Sequence, residues 1–235
     1  MREAKRIPIE QAPHPSSFIG DFYDLLSIDE RERLLMGLTF YDVPRGGIIY
    51  NKDEGIDSIY ILVKGQGKIV QNRERPQVMQ LLKNGDIFGF VPYFTHNKYE
   101  TEATCITDSI VGTYPVADFE RLLLHNAEAS LYFLRDVSDQ FWSHHTLLIS
   151  LTQKHLRGRL ADAIKFIEAE YGIEADGMTL KGKFSRNDYS ELCAMTSSNV
   201  TRTLRDLEAE GIIALRGKDI ALLNRDKLDR VSRIG

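Results

Sequence analysis

The chain has few cysteines and no long apolar run. Its 235 residues include only Cys105 and Cys193, and their surroundings are typical of neither a disulfide framework nor a zinc site. An iron–sulfur cluster takes about four cysteine ligands, so that class of sensor is excluded. No segment is long and apolar enough to span a membrane, and the N-terminal residues lack the apolar segment of a signal peptide. The sequence therefore predicts a cytoplasmic protein whose cysteines are small core residues.

The chain also lacks the positive charge of proteins that bind nucleic acid indiscriminately. Its formal net charge is −4, but the charge is unevenly distributed. Residues 181–235 contain 11 Lys and Arg against 8 Asp and Glu, whereas the remaining residues contain 19 against 26. A mildly basic C-terminal part on an acidic body favours site-specific binding over a polycationic tail.

Residues 184–215 contain two helical patterns separated by a tight break. The first follows Ser185 and the second follows Thr196, and both residue types cap helices well. The second pattern ends at Gly211 and has apolar residues at the spacing of one helix face, namely Val200, Leu204 and Leu207. A β-hairpin pattern follows over 212–220. These features together predict a helix-turn-helix with a wing.

The face opposite that apolar stripe carries short polar side chains and arginines: Ser197, Ser198, Asn199, Thr201, Arg202 and Arg205. Such side chains reach base edges and phosphates when a helix lies in a major groove. The alternative is a solvated helical hairpin in another all-α domain, because turn geometry is not visible in a sequence.

Three motifs here resemble the DNA-binding domain of the cyclic-AMP receptor and fumarate-nitrate regulator (Crp/Fnr) family of bacterial transcription factors: Arg186, the run TSSNVTRTL, and LEAEGII before the wing. The resemblance implies that the base-reading and phosphate-contacting positions are, respectively, Ser197, Ser198 and Arg202, and Arg186, Thr196 and Asn199. Many members have a charged residue in place of Ser197 or Ser198, which points to a different operator. Ala194 replaces a frequent turn glycine, and we expect it to require a slightly different backbone.

The first half of the chain changes pattern twice. Residues 1–17 are polar and interrupted by proline, which predicts a loose arm. Residues 18–38 predict two short helices split near Ser27, and 39–115 predict short strands with glycine-rich turns, as in a sandwich or barrel. The runs SIYILVKGQGKI and NGDIFGF resemble the double-stranded β-roll of the cyclic-nucleotide-binding fold, although any antiparallel jelly roll has similar alternation. We therefore expect a β-roll sensor domain over 18–126.

The longest helical pattern covers 127–155. Its residues alternate by steps of four and three along one seam: Ser130, Leu134, Val137, Phe141, His144, Leu148, Leu151 and His155. Such a seam needs a partner helix, and members of the Crp/Fnr family dimerise through the corresponding helix. The alternative is a helix packed only on its own β-roll. A winged helix-turn-helix domain over 156–235, after a hinge near 154–158, completes an α+β protein.

By the same resemblance, a cyclic-nucleotide site has an Arg followed by Ser or Thr for the phosphate, and a Glu after the Phe-Gly pair for the ribose. Here Phe90 follows Phe88, with one glycine between them, and Thr101 and Glu102 stand where Arg and Ser are expected. Burying a phosphate without a compensating cation is costly, and a carboxylate beside it adds repulsion. The sequence therefore disfavours cyclic AMP as the effector.

The residues expected around an effector pocket are Phe88, Phe90, Thr101, Glu102, His144 and His145. The aromatic residues near Phe90 suit a flat or apolar ligand, or simply a filled core. Haem with His144 or His145 as its axial ligand is one candidate. The alternative is a seam histidine that only sets helix register. The effector stays open, and no other metal site is predicted.

The predicted function is a dimeric, sequence-specific DNA-binding transcription regulator that senses a small effector other than a cyclic nucleotide. Its expected partners are a double-stranded operator, a second copy of the chain and RNA polymerase, with no membrane. The alternatives are a haem-based gas or redox sensor, a regulator without a ligand, and a cyclic-nucleotide-binding module of an enzyme or channel. The sequence shows no nucleophile–base pair, metal-ligand spacing or phosphate-cradling loop in the required context, so an enzyme is not expected.

Overall fold

The computed structural model describes residues 4–71 and 74–234, which form two compact units. The first unit contains residues 4–70 and 80–141, and the second contains 71, 74–79 and 142–234. A short piece of the N-terminal half therefore belongs to the C-terminal unit. No helix in these described ranges is long and apolar enough to cross a bilayer.

The N-terminal segment is more ordered than its composition indicated. Strand β1 (Lys5–Ile7) pairs antiparallel with β2 (Thr39–Val43), with Lys5 opposite Asp42 and Ile7 opposite Phe40. The prediction of a loose arm over 1–17 is therefore wrong for this part of it. The edge of β2 offers unpaired backbone groups, and the side chain of Ile7 packs on the apolar core.

Two helices then lead into the sheets, as predicted: α1 (Gly20–Asp24) and α2 (Ile28–Gly37). The split falls at Ser27, whose side chain accepts a hydrogen bond from the Glu30 backbone amide while the Glu30 carboxylate accepts one from the Ser27 amide at 2.8 Å. This capping box satisfies backbone donors that the helix itself leaves free.

The β-roll consists of two antiparallel sheets. The remaining strands are β3 (Ile48–Tyr50), β4 (Ser58–Lys64), β5 (Gly67–Gln71), β6 (Gln77–Leu82), β7 (Ile87–Phe88), β8 (Glu102–Cys105) and β9 (Ser109–Pro115). One sheet has the order β1-β2-β9-β4-β7 and the other has the order β3-β8-β5-β6. The short strands predicted over 39–115 are thus present. Strands β2, β3 and β7 had no individual prediction because they are short and only weakly alternating.

Strand β4 contributes apolar side chains to the core on both of its faces. Ile59, Ile61 and Val63 point into a cluster with the helices, whereas Leu62 points into a second cluster between the sheets. A strand with core on both sides is apolar along its whole length rather than at alternate positions.

Three helices complete the N-terminal half: α3 (Val91–Phe94), α4 (Val116–His125) and α5 (Ala127–Gln153). Asn126 caps α5, because its side-chain oxygen accepts a hydrogen bond from the Ala129 amide at 2.9 Å. Helix α5 has the bounds that the sequence predicted to within two residues, and it runs from the first unit into the second.

The second unit packs its other helices and a hairpin around an apolar centre. They are α6 (Leu156–Tyr171), α7 (Arg186–Cys193), α8 (Ser197–Ala209), β10 (Ile213–Arg216), β11 (Asp219–Leu222) and α9 (Arg225–Ile234). The apolar stripe predicted for α8 is fully buried, and so are three apolar residues of α6: Val200, Leu204 and Leu207, and Leu160, Ile164 and Ile167. The break between α5 and α6 lies at 154–155, inside the predicted hinge.

Candidate nucleic-acid interface and sensor interior

Helix α7 begins and ends with well-defined caps. Ser185 and Asp188 form a capping box, in which the Asp188 carboxylate accepts a hydrogen bond from the Ser185 amide at 2.7 Å. At the other end Ala194 adopts left-handed backbone angles, φ 50° and ψ 48°. The expectation of a different backbone at this turn is therefore wrong. The alanine takes the conformation that glycine adopts more easily, and its Cβ atom makes this conformation sterically unfavourable.

Helix α8 follows after two residues and presents its polar side outward. Thr196 caps it by accepting a hydrogen bond from the Asn199 amide at 3.3 Å. The fully exposed residues of the predicted interface are Ser197, Ser198, Arg202 and Arg205, with Thr196 beside them. Asn199 and Thr201 are half-buried. The turn thus brings the predicted base-reading positions onto one open face.

A polar cluster joins the two helices across this turn. The Ser197 hydroxyl donates to the Asn187 side-chain oxygen at 2.8 Å and lies 3.0 Å from the Ser190 hydroxyl. Asn187 and Ser190 were absent from the predicted interface, yet they hold the start of α8 against α7. Their spacing of three residues, which puts them on one side of α7, was the available signal.

Arg202 is held by a neighbour on its own helix. Its guanidinium donates a hydrogen bond to the Asn199 side-chain oxygen at 3.2 Å. The bond leaves most of the five guanidinium donors free to meet a guanine edge or a phosphate. Arg205 is exposed one turn further along α8.

Arg186 differs from these exposed residues. It lies at the first position of α7 and is half-buried, and its Nη1 atom is buried without a hydrogen-bond partner among the described residues. Its charge also lies near Tyr189, whose hydroxyl pKa is raised by burial and lowered in part by Arg186. A buried donor without a partner is unusual in a folded protein.

The wing is a two-stranded hairpin with a basic turn. Arg216 pairs opposite Asp219, Gly217 has a positive φ of 66°, and Lys218 is exposed at the turn. The Arg216 guanidinium lies 3.1 Å from the Asp176 carboxylate. Hydrogen bonds from Thr179 and neighbouring amides, helped by Arg216, lower the pKa of that carboxyl. The base of the wing is thereby fixed, while Lys218 stays open to solvent.

Aromatic side chains pack against one another in the core between the sheets of the β-roll. The rings of Tyr50 and Tyr99 stack with their centroids 3.9 Å apart, and Tyr60 stacks on Phe88 at 5.7 Å. Burial raises the pKa of both Tyr50 and Tyr60 to about 12. Burial likewise raises the pKa of Tyr99.

These tyrosines touch the positions that the family resemblance assigns to a cyclic nucleotide. The Tyr99 hydroxyl donates to the Gly89 carbonyl oxygen at 2.8 Å, directly before Phe90. The Tyr50 hydroxyl lies 3.3 Å from the Thr101 hydroxyl. The Gly89 carbonyl and the Thr101 hydroxyl therefore both have partners within the β-roll.

The predicted pocket residues do not form one group. Phe88 lies in the cluster between the sheets, whereas Phe90 lies in the cluster with the helices, where it packs against Phe119 and Phe133. Glu102 is half-buried in β8. The two phenylalanines diverge because the chain turns at Gly89, which has a positive φ of 85°. Phe90 is thus part of a packed core, whereas Phe94 in the same aromatic run is exposed.

The two histidines of α5 are exposed and belong to the second unit. His144 Nε2 lies 2.9 Å from the carbonyl oxygen of Met79, in the segment of β6 that clusters with the same unit. His145 stacks on Trp142 with ring centroids 5.8 Å apart. Within the described ranges, no group of three or more His, Cys, Asp and Glu is arranged to hold a metal ion.

One side of α5 is apolar and open. The predicted seam residues Leu134, Phe141 and Leu148 are 63%, 71% and 60% exposed. Val137 is also exposed, and Ser130 and Leu151 are half-buried. Large apolar side chains are rarely left open in a row unless another surface covers them.

The domain models of known protein families match both halves of the chain. A model described as "Cyclic nucleotide-binding domain" matches residues 42–126, and one described as "Crp-like helix-turn-helix domain" matches residues 158–231. The chain belongs to the Crp/Fnr family. Its β-roll, long helix and helix-turn-helix occur in the order that this family combines them.

Curated relatives of this Crp/Fnr protein are named as regulators. It is 26% identical over 183 residues to "Global nitrogen regulator" of Nostoc sp. strain PCC 7120, covering 76% of this chain and 82% of that one. It is 22% identical over 195 residues to "CRP-like cAMP-activated global transcriptional regulator" of Mycobacterium tuberculosis, covering 82% and 87%. The protein is accordingly a transcription regulator with a helix-turn-helix DNA-binding domain.

Solved structures of other proteins share the fold. FixK2 from Bradyrhizobium japonicum superimposes with a TM-score of 0.74 at 20% identity, covering 83% of this chain and 96% of that one. "The c-di-GMP responsive global regulator CLP" of Xanthomonas campestris has a TM-score of 0.73 at 17% identity, covering 83% and 99%. At these identities the likeness shows the architecture alone.

Proposed function

We propose that the protein is a homodimeric regulator that reads a roughly palindromic operator and does not respond to cyclic AMP or cyclic GMP. The observation that supports the exclusion of cyclic nucleotides is the packing of aromatic rings between the sheets of the β-roll. The Tyr50–Tyr99 stack contacts Thr101, where a nucleotide would need a phosphate cation, and the Gly89 carbonyl directly before Phe90, where it would need a ribose acceptor. A ligand would have to displace two buried, hydrogen-bonded rings, and it would meet no arginine in exchange.

The open seam of α5 supports the dimer. Leu134, Phe141 and Leu148 repeat every seven residues, and each has a large exposed side chain. A second copy of α5, packed in parallel, would bury all of them in knobs-into-holes contacts. Crp/Fnr regulators function as dimers, and a two-fold pair of recognition helices suits two half-sites about one helical turn, ~34 Å, apart.

The exposed face of α8 supports operator reading. Arg202 is exposed and is oriented by Asn199, and Ser198 and Arg205 lie one turn on either side of it along the helix. We assign base contacts to Ser197, Ser198 and Arg202, and phosphate contacts to Thr196, Asn199, Arg205 and Arg186. Arg186 differs in being half-buried, with a buried Nη1 atom that has no hydrogen-bond partner among the described residues. RNA polymerase is the further partner that we expect of such a regulator.

The relatives' names leave the effector open, because they refer to different ligands. The Mycobacterium tuberculosis relative is described as cAMP-activated, whereas the Xanthomonas campestris structure is described as responsive to c-di-GMP. The residues of this chain therefore decide the proposal. The histidines of α5 gain no support as haem ligands, because His144 is bonded to Met79 and His145 is stacked on Trp142.

Selection from random duplex DNA, followed by gel shift with and without cyclic AMP, tests the proposal. We expect enrichment of a two-fold symmetric site and an unchanged dissociation constant when cyclic AMP or cyclic GMP is added. Calorimetry on the free protein should show no binding of either nucleotide. Micromolar binding, or a tighter operator complex with cyclic AMP, would refute the effector assignment. An absorption spectrum of the purified protein with a Soret band would favour the haem alternative instead.

A further inference from the structure

Helix α5 carries a second exposed strip beside the dimer seam. If Leu134, Phe141 and Leu148 are the a positions of a heptad and Val137 and His144 are d positions, then the e and b positions include Leu131, Trp142, His145 and Ile149. Trp142 is 70% exposed, and Leu131 and Ile149 are also exposed. Coiled-coil packing of a and d residues leaves b positions outside the seam, so the dimer seam alone does not explain Trp142.

The opposite edge of α5 is covered by its own chain. Ala129 and Phe133 occupy c and g positions and are buried in the first unit. Ser150 occupies a c position and is buried in the second unit, where it bonds to Asp162. Each copy of the chain therefore covers the c and g edge of its own helix at both ends of α5 and leaves the e and b edge open. Between those ends the g positions Gln140 and Leu147 are half-buried, whereas the c position Ser143 is exposed.

Two-fold symmetry determines what faces the open edge. In a parallel pair of helices, the e position of one lies beside the g position of the other. The second subunit covers the c and g edge of its own helix. That part of the second subunit consequently lies beside the e and b edge of the first subunit's helix. The open strip is thus continuous with the dimer seam, and a second copy of the chain reaches it without any further component.

The position of Trp142 along α5 indicates which part of the second subunit lies beside it. His144, a d residue, bonds to the Met79 carbonyl oxygen, so residues 74–79 of the β5–β6 hairpin lie next to α5 at this height. Two-fold symmetry places the second subunit's hairpin at the same height along the helix pair. There it lies beside the e position that directly follows His144 on the first subunit's α5. That position is His145, whose ring is stacked on Trp142.

We infer that Trp142, supported by His145, packs on the β5–β6 hairpin of the second subunit. This inference rests on the proposed dimer and adds a cross-subunit contact outside the helix seam. Large aromatic residues that enter such contacts bury much apolar area and dominate interface energies. The contact would link each subunit's hairpin to both long helices: to its own through His144 and to the partner's through Trp142.

Trp142 is the single tryptophan of the chain, so its fluorescence reports this contact directly. In the wild-type dimer we expect blue-shifted emission and protection from acrylamide, whereas the monomeric variant Leu148→Asp should show the red, quenchable emission of an exposed indole. Trp142→Ala should leave a dimer whose dissociation constant is higher by about tenfold or more. A dimer with fully quenchable Trp142 would overturn the inference and leave the proposed dimer intact. A wild-type monomer would refute both.

Cross-linking between differently substituted chains identifies the hairpin. Chains with Trp142→Cys are mixed with chains carrying Met79→Cys, allowed to exchange subunits and treated with a short bismaleimide. A cross-linked pair should form in the mixture but not with either variant alone. Asp139→Cys, on the outward face of α5, replaces Trp142→Cys in the matched control. The native thiols of Cys105 and Cys193 are buried, which raises their pKa and limits their reaction. Equal cross-linking from positions 139 and 142 would overturn the assignment to the hairpin.

Discussion

The Asp162 carboxylate accepts a hydrogen bond from the Ser150 hydroxyl at 2.5 Å, and this bond joins the end of α5 to α6. The same carboxylate lies 2.7 Å from the Lys154 ammonium and accepts a bond from the Ser232 hydroxyl at 2.6 Å. One acidic side chain thus connects the long helix, the first helix of the DNA-binding part and the C-terminal helix. All these groups belong to the second unit.

We predict that Asp162→Asn lowers the free energy of unfolding of the second unit by about 1–3 kcal/mol, because charge-assisted bonds to a half-buried carboxylate are lost. Urea unfolding followed by Trp142 fluorescence measures the change. Asp229→Asn is the matched control: Asp229 pairs with Lys165 on a more exposed surface, where an ion pair contributes about 0–1 kcal/mol. Equal effects of the two substitutions would contradict the assigned role of Asp162.

Ala194→Gly should stabilise the helix-turn-helix. The left-handed backbone at this position destabilises the folded protein by about 1–2 kcal/mol when the residue is alanine. Glycine removes this strain but also increases the conformational entropy of the unfolded chain, which cancels part of the gain in stability. The expected net gain is about 0.5–1 kcal/mol. Ala209→Gly, in regular helical geometry at the end of α8, should instead destabilise. Thermal unfolding of both variants checks the opposite signs, and a loss at position 194 would count against the backbone assignment.

Much of the fold could be predicted from the sequence, because capping residues and the periodicity of apolar residues indicate the helices. Ser27, Ser185 and Thr196 were all predicted as helix boundaries and all cap their helices. The ordered N-terminus was missed for a physical reason. Strand β1 has only three residues, and its pairing depends on the open edge of β2 rather than on its own composition.

The candidate sites were predictable to different degrees. The exposed face of α8 follows from helical spacing, since its opposite face is apolar. The grouping of Phe88 with Phe90 did not follow, because a single glycine turn sends neighbouring side chains into different cores. The Tyr50–Tyr99 stack was also invisible, since it joins residues 49 positions apart in sequence.

Arg202→Ala should weaken operator binding by about 1–3 kcal/mol and remove the preference at one base pair in each half-site, because a bidentate contact to guanine is lost. Binding to random DNA should change far less. Gel shifts on the selected operator and on single-base variants measure both effects. Arg230→Ala, at another exposed arginine of the second unit, is the control. Equal losses on specific and random DNA would show that Arg202 contacts the backbone rather than a base.

The buried tyrosines make the β-roll sensitive to alkali. Burial raises the pKa of Tyr50 and Tyr60 in the folded protein to about 12, whereas an unfolded tyrosine has a pKa of about 10. Between these values the folded state binds more protons than the unfolded state, so stability falls as pH rises. Their contribution should be fully present below about pH 10 and lost progressively up to about pH 12.

Tyr50→Phe isolates one of these groups. One pKa unit corresponds to about 1.4 kcal/mol, and pH 11 lies about one unit above the unfolded pKa, so removing the Tyr50 hydroxyl should reduce the loss of stability between about pH 9 and about pH 11 by about 1 kcal/mol. Urea unfolding of the first unit, followed by near-ultraviolet circular dichroism at about pH 9 and about pH 11, gives this difference. Tyr41→Phe, at a half-buried tyrosine of β2, is the matched control for loss of a hydroxyl. If Tyr50→Phe lost as much stability between the two pH values as wild type, the ring would be open to solvent, and the filled interior that argues against a cyclic-nucleotide effector would be refuted with it.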